Sequence, residues 1–248
     1  MTLKPGERID DLHRKGRRII QDPKRFCFGI DAVLLSAFAK AMPGERVADL
    51  GTGTGIIPIL MEARYGGEQY YGLEIQEESA EMARRSVALN GLTDCIHIFT
   101  GDIKDPPSAF AAATFQVVTC NPPYMNEGGG LKNAYGPKAI ARHEILVDLA
   151  GVVRQAARLL QFGGRFYLIH RPHRLVDLMC LLREYKLEPK RMRLVQASAE
   201  KEPVLVLIEA VRGGRPMVKM EPVLMIYGPD GDYTPEAWQI YYGEANQP

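Results

Sequence analysis

Between residues 144 and 160, Leu146, Leu149, Val153, Ala156 and Leu160 recur at three- and four-residue spacing, which predicts a helix with one buried face. The same period, more weakly, predicts helices over Gly29–Ala41, Ile56–Arg64, Gln76–Asn90 and His173–Tyr185. Asp31 is placed to begin the first, Pro58 is tolerated in the first turn of the second, and Asn90-Gly91 stops the third. Between them lie apolar runs too short for helices. Arg46–Leu50, Tyr70–Glu74, Ile96–Phe99, Phe115–Cys120 and Arg165–His170 read as strands. Gly163-Gly164 reads as the turn into the last of these.

Strands alternating with helices predict an α/β fold, a mostly parallel sheet covered on both faces. Arg191–Val195 and Val204–Val211 follow one another with no helix between them, so they are expected to form an antiparallel hairpin at one edge. On that hairpin, period-two alternation places Arg191 and Arg193 on one face, and Met192 and Leu194 on the other. Beyond Gly213 the chain is rich in Pro, Gly and Tyr and reads as irregular. The expectation is a single domain over 1–248, comprising a basic extension and helix (1–44), the α/β core (45–212) and an acidic tail (213–248).

Composition narrows the class. With 248 residues, 46% hydrophobic and 25% charged, the chain can bury a full core. Cys27, Cys95, Cys120 and Cys180 show no metal-ligand spacing, and three of them lie in apolar runs that predict buried thiols. The polar opening Met1–Arg8 does not read as a signal peptide, and no apolar run approaches the ~20 residues of a membrane helix. The expectation is a cytoplasmic protein with no membrane, DNA or metal partner. The net charge of +1 conceals an uneven distribution. Residues 1–25 carry eight Lys/Arg against four Asp/Glu, and residues 171–219 eleven against six. Residues 220–248 carry none against five. Basic segments flanking a neutral centre can act as a footprint for phosphates, or simply be solvated surface.

The chemistry concentrates at strand ends. DLGTGTG, Asp49 to Gly55, joins the first core strand to its helix, and Gly51, Gly53 and Gly55 let the backbone turn sharply against a ligand. Glu74 ends the second strand, where a carboxylate can accept from ribose hydroxyls, and Asp102 follows the third, within reach of an adenine amine. The fourth strand ends in Asn121, Pro122, Pro123 and Tyr124. An exocyclic aromatic amine is a poor nucleophile because its lone pair is delocalised. The Asn121 side-chain oxygen and the Pro122 carbonyl are two acceptors that can return density to such a nitrogen. The prolines stiffen the loop, and Tyr124 offers a stacking face. His143 and Glu144 read more naturally as a helix start than as an acid–base pair.

These motifs resemble class I methyltransferases that act on amino groups: Asp49–Gly55 as motif I, Glu74 as the motif II acid, and Asn121–Tyr124 as NPPY. The resemblance implies a Rossmann-like fold with seven strands in the order 3-2-1-4-5-7-6, and S-adenosylmethionine as cofactor, released as S-adenosylhomocysteine. The segments around Asp10-Asp11, Ile19–Gln21, Phe26–Leu35, Ala141–Glu144 and His170–Arg174 are similar to the bacterial tRNA-Val (adenine-37-N6)-methyltransferase family, over residues 7 to about 235. That implies a tRNA substrate and places Phe28 and Asp31 near the methionine end of the cofactor. Protein glutamine N5-methyltransferases share NPPY, and another RNA or a non-catalytic RNA-binding role are further alternatives. Only 48 residues precede Asp49, and their basic character favours RNA. Lys15, Arg17 and Arg18, then Arg171, His173 and Arg174, then Arg191 and Arg193, are the candidate backbone contacts.

Overall fold

The computed structural model describes residues 2–24, 27–66, 69–122 and 149–243. The chain opens with a hairpin, β1 (Arg8–Asp11) and β2 (Arg18–Gln21), followed by α1 (Ile30–Phe38). Then come β3 (Arg46–Leu50), α2 (Ile56–Tyr65), β4 (Gln69–Glu74), α3 (Glu77–Leu89), β5 (Ile96–Thr100) and β6 (Phe115–Cys120). After α4 (Leu149–Leu159) and β7 (Leu160–His170), a short 3₁₀ turn leads into α5 (Leu175–Glu184). The chain continues as β8 (Leu187–Gln196), β9 (Pro203–Arg212), β10 (Lys219–Met220), β11 (Leu224–Met225) and α6 (Pro235–Tyr242).

All strands after the hairpin join one sheet, ordered β10-β8-β9-β7-β6-β3-β4-β5, with β11 also on β8. Among the described strands of this sheet only β9 runs against its neighbours, β7 and β8. The sheet is Rossmann-like, mostly parallel with an antiparallel hairpin. Among the described residues it has nine strands, where the resemblance implies seven: β10 and β11 extend it beyond β8.

Alternation along each strand sorts the core into two layers. Val47, Tyr70, Ile96, Val117 and Tyr167 face a cluster built with α1 and α2. Their neighbours Ala48, Leu73, Val118 and Phe166 face the cluster that includes Val153 and Ala156 of α4 and Leu178 and Leu182 of α5. Each layer is dry: these strand residues are at most 2% exposed. Burial of this kind, at ~25 cal/mol per Å², fixes the register, since a one-residue slip would turn both layers inside out.

Several expectations need correction. The tail after Gly213 is not irregular: it supplies β10, β11 and α6, the last capped by the Thr234 hydroxyl accepting from the Ala237 N–H. The first 44 residues hold a hairpin that the pattern did not show, and it packs on α3. Gly163-Gly164 does not precede β7 but lies within it, where Gly163 takes φ +80° and the register against β6 shifts. Of the cysteines only Cys120 is buried; Cys27 and Cys95 are half-buried and Cys180 is exposed. No helix among the described residues is long and apolar enough to cross a membrane.

Candidate active site at the carboxyl edge of the sheet

β3, β4, β5 and β6 are parallel, so their last residues share one edge. This edge collects Asp49, the glycine loop, Glu74, Asp102 and Asn121. In such sheets ligands bind there because the helix N-termini and connecting loops open toward it.

The glycine loop is held against β4. The Gly51 and Thr52 N–H groups donate to the Leu73 carbonyl at 2.9 and 3.0 Å. The Gly53 N–H donates to Glu74 Oε2 at 2.9 Å, and the Gln76 N–H to Glu74 Oε1 at 2.9 Å. Glu74 therefore anchors the loop as well as ending its strand. Gly51 and Gly53 take φ +73° and +56°, and a Cβ on either would enter open space. That open space above a tight turn is the shape of a ligand cradle. Gly55 serves packing instead. A Cβ there would approach Ala83 Cβ at 3.3 Å, so its smallness lets α2 pack on α3.

Asp49 is 1% exposed and accepts from the Thr119 hydroxyl at 2.7 Å. Its Oδ2 and the Thr52 Oγ1 are buried without a hydrogen-bond partner. Burial pushes the Asp49 carboxyl up to about 6, opposed by the neighbouring hydroxyls of Thr119 and then Thr52, and reinforced by the nearby Glu74 charge. Burial also raises Glu74, against the hydrogen bonds it receives from Gln76, Gly53 and Ile75. Two destabilised carboxylates beneath a glycine cradle favour a ligand that brings positive charge and hydroxyl donors. S-adenosylmethionine, a sulfonium with an ammonium and a ribose diol, fits that donor set.

Asp102 is half-buried, and its Oδ1 accepts from the Lys104 N–H at 2.8 Å, which shapes the loop after β5. Phe28 and Asp31 flank the start of α1. The Phe28 N–H donates to Gln21 Oε1 at 2.9 Å, and Asp31 Oδ1 accepts from the Ala32 N–H at 2.9 Å. Asn121 and Pro122 follow β6 beside the end of β3, where Leu50 pairs with Cys120, and both are half-buried. Pro123 and Tyr124 lie outside the described residues, as do His143 and Glu144. Among the described residues no cluster of His, Cys, Asp or Glu has metal-binding geometry.

The basic candidates divide. Arg171, His173 and Arg174 follow the carboxyl end of β7, on the active-site edge; His173 is exposed, and Arg174 pairs with Asp177 at 2.7 Å. Arg191 and Arg193 do share a face, but that face is covered. The Arg191 guanidinium lies 4.0 Å over the Phe38 ring, donates to the Phe38 carbonyl and pairs with Glu209 and Glu221. Arg193 meets Glu236 of α6 through two bonds of 2.7 Å. Arg17 pairs with Glu62 at 2.6 Å and donates to the Asn90 carbonyl. Lys15 and Arg18 are exposed, but Asn90 lies at the far end of α3, so this cluster sits toward the opposite end of the sheet from Asn121.

Sequence reasoning missed three supporting residues. Thr119 orients Asp49; a hydroxyl in the otherwise apolar run FQVVTC was the available signal. Gly72 lets Thr52 pack on β4, since a Cβ there would meet Thr52 Cγ2 at 2.8 Å and Ile98 Cδ1 at 2.7 Å; a glycine inside a strand marks such an approach. Gln21, 2% exposed, holds the Phe28 backbone; it lies in the Ile19–Gln21 segment that carries the family resemblance, but nothing local marked this role.

A Rossmann-like sheet with a glycine cradle and two carboxylates at its carboxyl edge is the frame of a methyltransferase. The family model "Methyltransferase small domain" matches residues 28–184. A protein of Porphyromonas gingivalis named tRNA1(Val) (adenine(37)-N6)-methyltransferase is 32% identical over 217 residues, 84% of each chain. One of the same name from Tolumonas auensis is 26% identical over 88% of this chain and 89% of its own. The chain belongs to the tRNA1(Val) (adenine(37)-N6)-methyltransferase family, within the methyltransferase small-domain group. In fold it resembles a crystal structure titled a predicted O-methyltransferase from Agrobacterium tumefaciens, with TM-score 0.70, 23% identity, and coverage of 88% of this chain and 98% of that one. It also resembles geranyl diphosphate methyltransferase in complex with SAM, with TM-score 0.53, 16% identity, and coverage of 73% and 84%.

Proposed function

We propose that this enzyme methylates N6 of adenine 37 in a valine tRNA. The observation that carries the reading is the placement of Asn121 and Pro122 at the end of β6, next to the glycine cradle between β3 and α2. When bound, S-adenosylmethionine supplies an electrophilic methyl group and leaves as S-adenosylhomocysteine.

Glu74 receives the ribose hydroxyls on the lone pairs that its two backbone N–H donors leave free. Asp102 takes the adenine amine of the cofactor, and Asp49 supports the charge at the methionine end, where Phe28 and Asp31 close the site. The Asn121 side-chain oxygen and the Pro122 carbonyl accept from the two N–H groups of the target amine. That raises density on nitrogen and aims its lone pair at the methyl carbon. Tyr124 stacks on the target base. A base in an anticodon loop is already partly unpaired, so splaying it into this site costs little. Arg171, His173 and Arg174 lie where they can meet the RNA backbone beside that loop.

The test is transfer of labelled methyl groups into bulk tRNA and into total protein, followed by nucleoside digestion. N6-methyladenosine in the tRNA fraction is the expected product. Label in protein glutamine would transfer the same chemistry to a protein substrate and overturn the RNA reading.

A further inference from the structure

A cavity of about 400 Å³ opens on the flank of the molecule, between the loop that follows β5 and helix α4. Phe110 in its wall packs in the same layer as Val153 and Ala156, whereas α1 and α2 belong to the layer on the other face of the sheet. The cavity is therefore separate from the cofactor cradle between β3 and α2. Helix α4 ends where β7 begins, so its 11 residues, about 16 Å, run back toward the active-site edge. Lys104 follows Asp102 by two residues, so the loop wall of the cavity starts at that edge.

Helical spacing sets the charge of the other wall. Arg154 and Arg158 are four residues apart and share the exposed face of α4, while Val153, Ala156 and Ala157 are buried. Arg17, Arg85, Arg165, Arg174, Arg191 and Arg193 each pair with a carboxylate. Among the described residues the side chains of Arg154 and Lys104 meet none. Asp105, the carboxylate in the described lining, is exposed and pairs with neither. Gln155, between the two arginines, is 6% exposed, and its Oε1 accepts from the Arg158 Nε–H at 3.0 Å. That bond fixes the orientation of the amide, since the reverse would set N–H against N–H. Arg158 is itself satisfied, because its Nη2 also donates to the Phe110 carbonyl at 2.9 Å. The Gln155 Nε2, however, is buried with no hydrogen-bond partner. An unpaired buried donor is costly, and in a cavity wall it points to a bound acceptor. With Lys104 on one side of the cavity and Arg154 on the other, that acceptor is an anion, and phosphoryl oxygens suit both the charge and the amide N–H.

We propose that this cavity binds a backbone phosphate of the RNA substrate, seated between Lys104 and Arg154 and accepting a hydrogen bond from Gln155 Nε2. The proposal rests on the tRNA reading above. An RNA strand that leaves its target base at Asn121 passes over the active-site edge and reaches the flank of α4 through this opening, so the cavity is a second grip, on the other side of that edge from the cofactor.

The experiment uses the full chain and four variants: Lys104→Glu, Arg154→Glu, Gln155→Leu and, as a control for net charge, Lys219→Glu, an exposed cation on β10 at the far edge of the sheet. Filter binding of unmodified tRNA at several salt concentrations reads the affinity. Lys104→Glu and Arg154→Glu should each weaken it about fivefold and lower the salt slope by about 1, and Lys219→Glu should change it less than about twofold. Gln155→Leu should weaken tRNA binding about threefold without lowering the denaturant midpoint, because it removes an unpaired buried donor. S-adenosylmethionine affinity, measured in parallel, should not change in any of them. Wild-type tRNA affinity in Arg154→Glu and Gln155→Leu, or a loss in Arg154→Glu no larger than in Lys219→Glu, overturns the proposal. Inorganic phosphate is titrated at constant ionic strength; saturable binding that Gln155→Leu abolishes, with tRNA affinity unchanged, would make this a free-anion site and overturn the RNA assignment. Methyl transfer by the wild-type enzyme is scored separately. A wild type that methylates tRNA while the variants bind it equally well sinks this site alone, and a wild type that neither binds nor methylates tRNA sinks both readings.

Discussion

Glu74 Oε2 accepts the Gly53 N–H at 2.9 Å, so the residue proposed to read the ribose is also the one that holds the glycine loop in place. Cofactor affinity and loop order are thereby coupled through a single carboxylate. Glu74→Ala should weaken S-adenosylmethionine binding by about 1–3 kcal/mol, the scale of a lost charged hydrogen bond. Glu74→Gln, which keeps one acceptor oxygen, should lose less. Isothermal calorimetry measures both, and equal affinities for wild type and Glu74→Ala would remove Glu74 from the site.

Asp49 makes stability depend on pH in an unusual direction. Its folded pKa, about 6, lies above the ordinary value of 3.8, so between those values the native state binds more protons than the unfolded chain. The free protein should therefore lose stability from this group as pH rises from about 4 to 6, by about 3 kcal/mol, and level off above. His170 works oppositely. Burial lowers its pKa to about 4 from 6.5, so its contribution grows as pH rises through that interval. Comparison of wild type with Asp49→Asn by denaturant unfolding isolates the Asp49 part: the difference in unfolding free energy should favour wild type more at pH 4 than at pH 7. A pH-independent difference would show that the carboxyl is not perturbed.

Asn121 is expected to act mainly in the transition state, because its hydrogen bond strengthens as positive charge develops on the attacking nitrogen. Asn121→Ala should lower the single-turnover rate on unmodified tRNA about 10²-fold, with cofactor affinity nearly unchanged. A wild-type rate would reduce the loop after β6 to a turn.

Arg191 distinguishes scaffold from RNA contact. Its guanidinium stacks on Phe38 and is shared by Glu209 and Glu221, all on a half-buried face. Arg191→Met should cost about 3 kcal/mol in thermal or chemical unfolding, because two carboxylates lose their cation. The tRNA affinity of the folded variant should stay within twofold of wild type. Arg174→Glu, at the active-site edge, should do the reverse: weaken tRNA binding and leave stability nearly unchanged. A large loss of tRNA affinity in Arg191→Met would return this residue to the interface.

Much of the frame is local in origin and was therefore legible in the chain. Strand and helix periods along 46–120 place Asp49, Glu74, Asp102 and Asn121 at the ends of successive parallel strands, and parallel strands must share an edge. Glycine at 51, 53 and 55 likewise announces positive φ by itself, since few other residues adopt it cheaply. The tertiary structure decided what depends on a distant partner. β10 and β11 are two residues each, too short to carry a period, and exist because the exposed side of β8 offers unpaired backbone groups. The fate of each arginine was equally hidden. Arg191 meets a carbonyl 153 positions away, Arg193 a carboxylate 43 positions away, and Arg14 a helix end 225 and 226 positions away. A charge on a strand looks the same in sequence whether it faces solvent or a carboxylate, because its energy is set by what the fold brings within a few ångströms of it.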